Sequence, residues 1–338
     1  MCIRDRVQLW SERFSLILAF LLVLLIVNHL FWRKIFPLLR RLAIRLCHSA
    51  LRLRDRLMET ALARHWERRH PRLYRFVGNR FATGHGTGIV LSVGFLISLV
   101  FAALFFWISR AVLTQTPFAR SDLALHRLLQ DIRPPEADLF FEGLMQFGGV
   151  TVVFILGALC LLWLLLNRRR LFASLLILGL GCGQALLLAL QWLFKRPPPQ
   201  EATVVSEAAL SVFPSAAAFN SLVFYGLVAY FLLGSVREAE HRFYLVFGGS
   251  FLVLVVAFSP LYLGIQRLSD VLGGLVLGGC WLTVLITAGE MPLRHSKMFP
   301  ADDREPAVRR EKARIIFLTV MAFAAAAAII AVLIMHLG

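Results

Sequence analysis

Residues 259–274 read SPLYLGIQRLSDVLGG and join two long apolar runs, at 243–260 and 269–288. Each run is close to the roughly 20 residues that a helix needs to cross a bilayer. The polar residues of this stretch, among them Gln266 and Asp270, lie between the runs or at the beginning of the second one. The stretch therefore predicts two membrane-spanning helices that are joined by a short turn carrying polar side chains.

The chain contains six further apolar runs of similar length, at 14–32, 88–109, 149–166, 171–194, 215–234 and 315–336. Hydrophobic residues make up 59% of the chain, charged residues only 17%, and the mean hydropathy is +0.73. A soluble domain has about 45–50% apolar and about 25% charged residues. These values exclude a soluble protein and predict an all-α, polytopic membrane bundle. The predicted bundle has a six-helix core with one additional transmembrane helix on each side.

The same runs predict four segments. Residues 1–32 hold a transmembrane helix, 33–85 a basic cytoplasmic linker, 86–290 the membrane core, and 291–338 a cytoplasmic loop with a last transmembrane helix. Residues 1–6, MCIRDR, resemble read-through of a sequencing adapter, so we expect the natural chain to begin upstream.

Basic residues are concentrated in alternate loops. The chain carries 36 Lys plus Arg against 20 Asp plus Glu, a formal net charge of +16. Residues 33–80 contain fourteen Lys or Arg, 168–170 are three arginines, 235–242 include Arg237 and Arg242, and 289–314 contain seven basic residues. The positive-inside rule makes these four loops cytoplasmic. Because the basic residues cluster between apolar runs, contact with anionic lipid accounts for them better than binding of nucleic acid.

The linker at 33–80 allows two interpretations. Its arginines at 40–56 alternate with Leu and Ile, which is typical of a basic amphipathic helix on the inner leaflet. A solvated linker between two membrane modules is the alternative. The five cysteines of the chain lie far apart and have no metal-ligand spacing, so the sequence predicts no disulfide, metal or cofactor.

Two more stretches complete a recognisable pattern: 191–199 read QWLFKRPPP and 213–219 read FPSAAAF. With 259–274, their order and spacing resemble the type 2 phosphatidic acid phosphatase family, which also includes vanadium haloperoxidases. The resemblance covers roughly 86–290 and implies a bacterial inner-membrane protein with its site facing the periplasm. Residues 69–80, RHPRLYRFVGNR, resemble the linker that follows a DedA-type domain in bacterial fusions. The helix at 14–32 would then be a remnant of such a domain.

The resemblance also implies a chemistry that this chain lacks the side chains to perform. In the family, a Lys and two Arg hold the phosphate, one His attacks phosphorus, an Asp orients that His, and a second His protonates the leaving group. Of the matching positions, Ser215 and Asp270 are retained. The five replaced positions are Gln191, Pro198, Ala217, Pro260 and Gln266.

Several residues near these motifs allow more than one interpretation. Lys195, Arg196 and Arg267 are candidates for a residual anion site, and interfacial anchoring is the alternative. Asp270 opens a span, where the helix dipole alone favours an acidic residue. His126 lies in an outer amphipathic stretch, and we expect it to be solvated rather than catalytic.

The leading functional hypothesis is therefore a pseudophosphatase, which binds lipid phosphate or serves structurally in envelope lipid handling. The first alternative is an active lipid phosphatase, of the phosphatidic acid or undecaprenyl pyrophosphate type, that uses unconventional residues. The second is an accessory module of a DedA-type lipid transporter. Membrane lipids are the expected partners in all three.

Overall fold

The computed structural model describes residues 87–114, 117–133, 137–199 and 211–295, together with 21–38 and isolated positions between 15 and 45. The regular structure in these residues is helical, without strands. The helices are α1 (Leu21–Leu38), α2 (Thr87–Leu113), α3 (Pro117–Ile132), α4 (Asp138–Gln146), α5 (Val150–Leu166), α6 (Arg170–Phe194), α7 (Ala216–Leu233), α8 (Ala239–Tyr262) and α9 (Leu268–His295).

Six of these helices, α1, α2, α6, α7, α8 and α9, are long and apolar enough to cross a membrane. A seventh span is formed if α4 and α5, which meet at an angle of 45°, are counted as one bent crossing. The predicted all-α membrane bundle is thus confirmed. Nearly all of the basic linker and the whole of the last predicted span, 315–336, lie outside the described residues.

Several predicted helix ends were wrong by a few residues. The helix α1 continues through 33–38, although hydropathy places these residues in the linker, and α9 continues to His295. The helix α8 begins at Ala239 and includes Pro260 in its last turn. Hydropathy marks the apolar part of a helix rather than its ends, and Arg and Lys are good helix formers that extend a span into the interface.

The core is built around α9, which packs against α2 and α7. The helices α7 and α9 approach closely at Gly274, where a Cβ atom would lie 2.5 Å from the carbonyl oxygen of Ser215. This close approach places the beginning of α7 beside the first turns of α9. It therefore aligns the second and third sequence motifs.

The additional helix α1 docks on α8 through polar contacts. Asn28 is almost fully buried and donates from Nδ2 to the carbonyl of Phe247 at 3.0 Å. Its Oδ1 accepts from Ser250 Oγ at 2.8 Å, and the same Ser250 oxygen accepts from Trp32 Nε1 at 2.8 Å. Hydrogen bonds of this kind hold helices together where lipid gives no hydrophobic driving force. The rest of α1 is largely exposed, as expected for a lipid-facing helix.

Candidate functional site

The three motif segments meet at one end of the bundle. The end of α6, the beginning of α7 and the turn between α8 and α9 are joined by hydrogen bonds. Gln191 Nε2 donates to the Pro214 carbonyl at 3.0 Å, and Ser215 N donates to the Asp270 carbonyl at 3.0 Å. Arg267 Nη1 donates to the Pro197 carbonyl at 3.3 Å. Residues far apart in sequence are therefore held in one cluster.

Asp270 is the most deeply buried member of the cluster, with a side chain that is 0% exposed. Its Oδ1 accepts a short hydrogen bond from Arg196 Nη1, and its Oδ2 accepts from the backbone N–H of Arg267 at 2.9 Å. The second contact is the return half of a capping box at the beginning of α9. Both oxygens of the retained carboxylate are thus bound to groups other than an imidazole.

A second buried carboxylate reaches the same cluster from α3. Asp122, whose side chain is 1% exposed, accepts from Ser269 N at 3.2 Å and from Ser269 Oγ in a short contact. Its Oδ2 lies 4.0 Å from Arg196 Nη2, and Arg196 Nη1 also donates to Ser269 Oγ at 2.8 Å. Arg196 therefore lies between two carboxylates, which neutralise its charge and anchor α3 to α9.

Asp122 was not predicted as a site residue, and the prediction for His126 was wrong. His126 is 1% exposed, so it is not a solvated surface histidine. The missed signal is the spacing of Asp122, His126 and Gln130, which places all three on one face of a helix. Gln130 Nε2 donates to the Tyr262 carbonyl at 3.3 Å, so this face is turned toward the α8–α9 turn. A buried polar face on an amphipathic helix requires polar partners of this kind nearby in space.

The last turn of α8 and the α8–α9 turn hold two of the positions that are predicted to be replaced, Pro260 and Gln266. The Pro260 carbonyl accepts from the N–H groups of Ile265 and Gln266, at 3.0 and 3.1 Å. Gly264 has a φ of 74°, a conformation that only glycine adopts easily, and Gln130 covers it. Among the described residues, Gln266 Oε1 has no hydrogen-bond partner although it is buried. The turn is therefore well ordered, but it carries an amide at 266.

The second motif begins α7. Ser215 Oγ accepts from Ala218 N at 3.3 Å, so this retained serine caps the helix. Ala217, two residues after Ser215, is buried and offers only a methyl group. Neither residue supplies an imidazole for acid–base catalysis.

The first motif brings less free positive charge to the cluster than its two cations, Lys195 and Arg196, suggest. Lys195 follows the last residue of α6 with a φ of 45°, and its Nζ lies 4.9 Å from the centre of the exposed Trp192 ring rather than beside Asp270. Pro198 is half-buried, in the segment that follows α6. Of the three candidate cations, Arg196 is paired with Asp270, and Arg267 lies close enough to be affected by Arg196. Burial, and then the positive charge of Arg196, lower the pKa of Arg267 from its usual value.

Comparison with known proteins agrees with this arrangement of helices. The profile of the PAP2 superfamily matches residues 172–292, which include all three motifs. Residues 172–292 form a PAP2 superfamily domain. The chain is also 28% identical over 182 residues to phosphatidylglycerophosphatase B of Bacillus subtilis (strain 168). This alignment covers 52% of this chain and 86% of that relative.

The similarity in fold covers more of the chain than the matched residues. A crystal structure of a transmembrane PAP2-type phosphatidylglycerolphosphate phosphatase from Bacillus subtilis aligns with a TM-score of 0.52 at 22% identity. The alignment covers 60% of this chain and 99% of that one. The chain is therefore a multi-pass membrane protein with a PAP2-type helical fold and with additional residues outside it.

Proposed function

We propose that this protein is a PAP2-type pseudophosphatase, which binds lipid phosphate or serves structurally in the handling of envelope lipids. The observation that carries the proposal is the set of hydrogen-bond partners of the Asp270 carboxylate. Its two carboxylate oxygens are bound by Arg196 and by the Arg267 N–H, and the position that would hold a nucleophilic imidazole is Gln266. An amide nitrogen is a poor nucleophile because its lone pair is delocalised into the carbonyl.

The charge balance of the cluster also supports an impaired site. Phosphoryl transfer needs free cations around the transferring group. Here Arg196 is neutralised by Asp270 and lies near Asp122. Within the described cluster, Arg267 is the remaining cation that can attract an anion. A single cation of this kind favours weak binding of a phosphate group over hydrolysis of its ester. Lys195 remains a candidate for interfacial anchoring.

A second candidate function, an active lipid phosphatase, has its own support. The chain is 28% identical to a protein named for hydrolysis of phosphatidylglycerophosphate. The buried His126 lies one helical turn from Asp122 and supplies an imidazole on the face that contacts the α8–α9 turn. The accessory role beside a DedA-type domain stays a prediction.

Phosphate release separates the two candidates. The purified protein is expected to release no phosphate from phosphatidylglycerophosphate, phosphatidic acid or undecaprenyl pyrophosphate above the level of a mock purification. Release that survives stringent purification and is lost in His126→Gln would favour the active enzyme. Binding of the same lipids, measured separately, distinguishes a phosphate-binding module from a purely structural one.

We further propose that the cluster faces the periplasm, because the turns at the other end of the bundle carry the arginines. Single cysteines at 169 and 238 are expected to react with a membrane-impermeant maleimide only after the cells are opened. A cysteine at 265 is expected to react in intact spheroplasts. The reverse labelling pattern would overturn the proposed orientation of the chain.

A further inference from the structure

The two turns at the opposite end of the bundle from the PAP2 cluster carry five arginines. Arg168, Arg169 and Arg170 join α5 to α6, while Arg237 and Arg242 lie at the junction of α7 and α8, and all five are exposed. The helix α6 has 25 residues, so this end lies about 37 Å from the PAP2 cluster. The basic end is therefore a separate surface.

The two basic turns lie next to each other in space. Phe172, at the beginning of α6, packs against Phe231, near the end of α7, with ring centroids 4.8 Å apart. The ring of Phe172 also meets the edge of Tyr230 at 6.2 Å. Because these aromatic residues hold the two helices together just inside the turns, the arginines of both turns share one rim of the bundle.

Four of the five arginines have no acidic partner within the described part of the chain. No carboxylate there lies within 4.0 Å of the guanidinium of Arg168, Arg170, Arg237 or Arg242. Of the acidic residues near these turns, Glu238 contacts His241 at 2.8 Å, Glu290 accepts from Tyr230 Oη at 3.0 Å, and Glu240 is exposed in the first turn of α8. These four arginines are thus available to an external anion.

The backbone at Arg168 gives an independent indication that its charge is used. Arg168 N donates to the Leu165 carbonyl at 3.0 Å, and Arg169 N donates to the Leu164 carbonyl at 2.8 Å. This is the Schellman pattern, in which the residue at the Arg168 position adopts the left-handed conformation and is usually glycine. Arg168 has a φ of 55°. An arginine therefore occupies a position where glycine would be conformationally easier, and backbone conformations of this kind are concentrated at functional positions.

We propose that these two turns form a binding site for the headgroup of an anionic glycerophospholipid from the adjoining membrane leaflet. Guanidinium groups bind phosphate oxygens in a bidentate manner, and basic pockets between transmembrane helices are where such headgroups bind. The site is independent of the PAP2 cluster, so it does not rest on the proposed function.

The test is lipid binding by the purified full chain, measured by native mass spectrometry with phosphatidylglycerol and phosphatidylcholine of equal acyl chains. The unmodified protein is expected to prefer phosphatidylglycerol. Arg168→Gly is expected to weaken phosphatidylglycerol binding about fivefold, the usual effect of one arginine at an anionic surface, and to leave phosphatidylcholine unchanged. Because glycine suits the backbone at 168, the melting temperature should not fall.

Two further variants make the outcome decisive. The pair Arg237→Gln and Arg242→Gln, on the neighbouring turn, is expected to weaken phosphatidylglycerol binding as well. Arg110→Gln removes an exposed arginine near the opposite end of the bundle and is expected to have no effect. Equal losses in Arg110→Gln and Arg168→Gly would overturn the proposal. Full retention of binding in Arg168→Gly, or displacement of the lipid by inorganic phosphate, would do the same.

Discussion

Gln266→His alone is expected to leave phosphate release from phosphatidylglycerophosphate at the level of the unmodified protein. The change supplies a nucleophile, but positions 191, 198 and 260 still hold an amide and two prolines. Without these cations, the charge that develops on the transferring phosphoryl group is not stabilised. Ala217 also offers no proton for the leaving oxygen. The measurement is phosphate release by the purified single variant.

The five changes together are expected to create activity. Gln191→Lys, Pro198→Arg, Ala217→His, Pro260→Arg and Gln266→His restore the side chains that the family chemistry requires. Removal of a catalytic unit costs on the order of a million-fold in a well-studied triad enzyme, so a gain of several orders of magnitude is expected. Arg196 keeps Ser269 and Asp122 as partners when an imidazole binds to Asp270.

Asp270→Asn added to the five changes serves as the control, and it should abolish the new activity because the imidazole then loses its orienting carboxylate. Release of phosphate by Gln266→His alone, at a rate comparable with that of the variant with all five substitutions, would contradict the role given to the missing cations. A folded variant with all five substitutions that shows no release would contradict the alignment of the three motifs.

The second large effect is on stability. Asp270→Asn is expected to destabilise the protein by about 3–5 kcal/mol, because it leaves the guanidinium of Arg196 largely buried without its main counter-charge. Asn keeps the shape of the side chain, so the effect reports the charge rather than a cavity. The measurement is the free energy of unfolding in a detergent or bicelle system in which unfolding is reversible.

A double-mutant cycle tests the cause of this loss. Arg196→Gln removes the buried cation, so Arg196→Gln combined with Asp270→Asn is expected to be more stable than the sum of the two single losses predicts. Strict additivity would show that Arg196 and Asp270 do not interact energetically. Asp138→Asn, at the pair with Arg133, is a matched control and should have a smaller effect, because the Asp138 side chain is 25% exposed whereas that of Asp270 is 0% exposed.

The sequence alone was sufficient to predict the class of fold. Runs of about 20 apolar residues are characteristic of membrane spans, because a helix satisfies its own backbone hydrogen bonds in lipid and needs this length to cross it. The three motifs at 191–199, 213–219 and 259–274 were also sufficient to indicate the family, since their order and spacing depend only on the chain. That Ala217 and Gln266 replace catalytic residues stays a prediction, because it rests on the alignment of the motifs alone.

Only the tertiary structure decided which groups surround Asp270. The sequence placed Asp270 at the beginning of a helix, where the dipole favours an acid, but it could not show that Arg196 and the Arg267 N–H occupy its two oxygens. Nor could it show that Asp122 reaches Ser269 from a helix 147 positions away. Helical periodicity gives the face on which a side chain lies, whereas its partner depends on how helices pack, and that is decided by close approaches such as the one at Gly274.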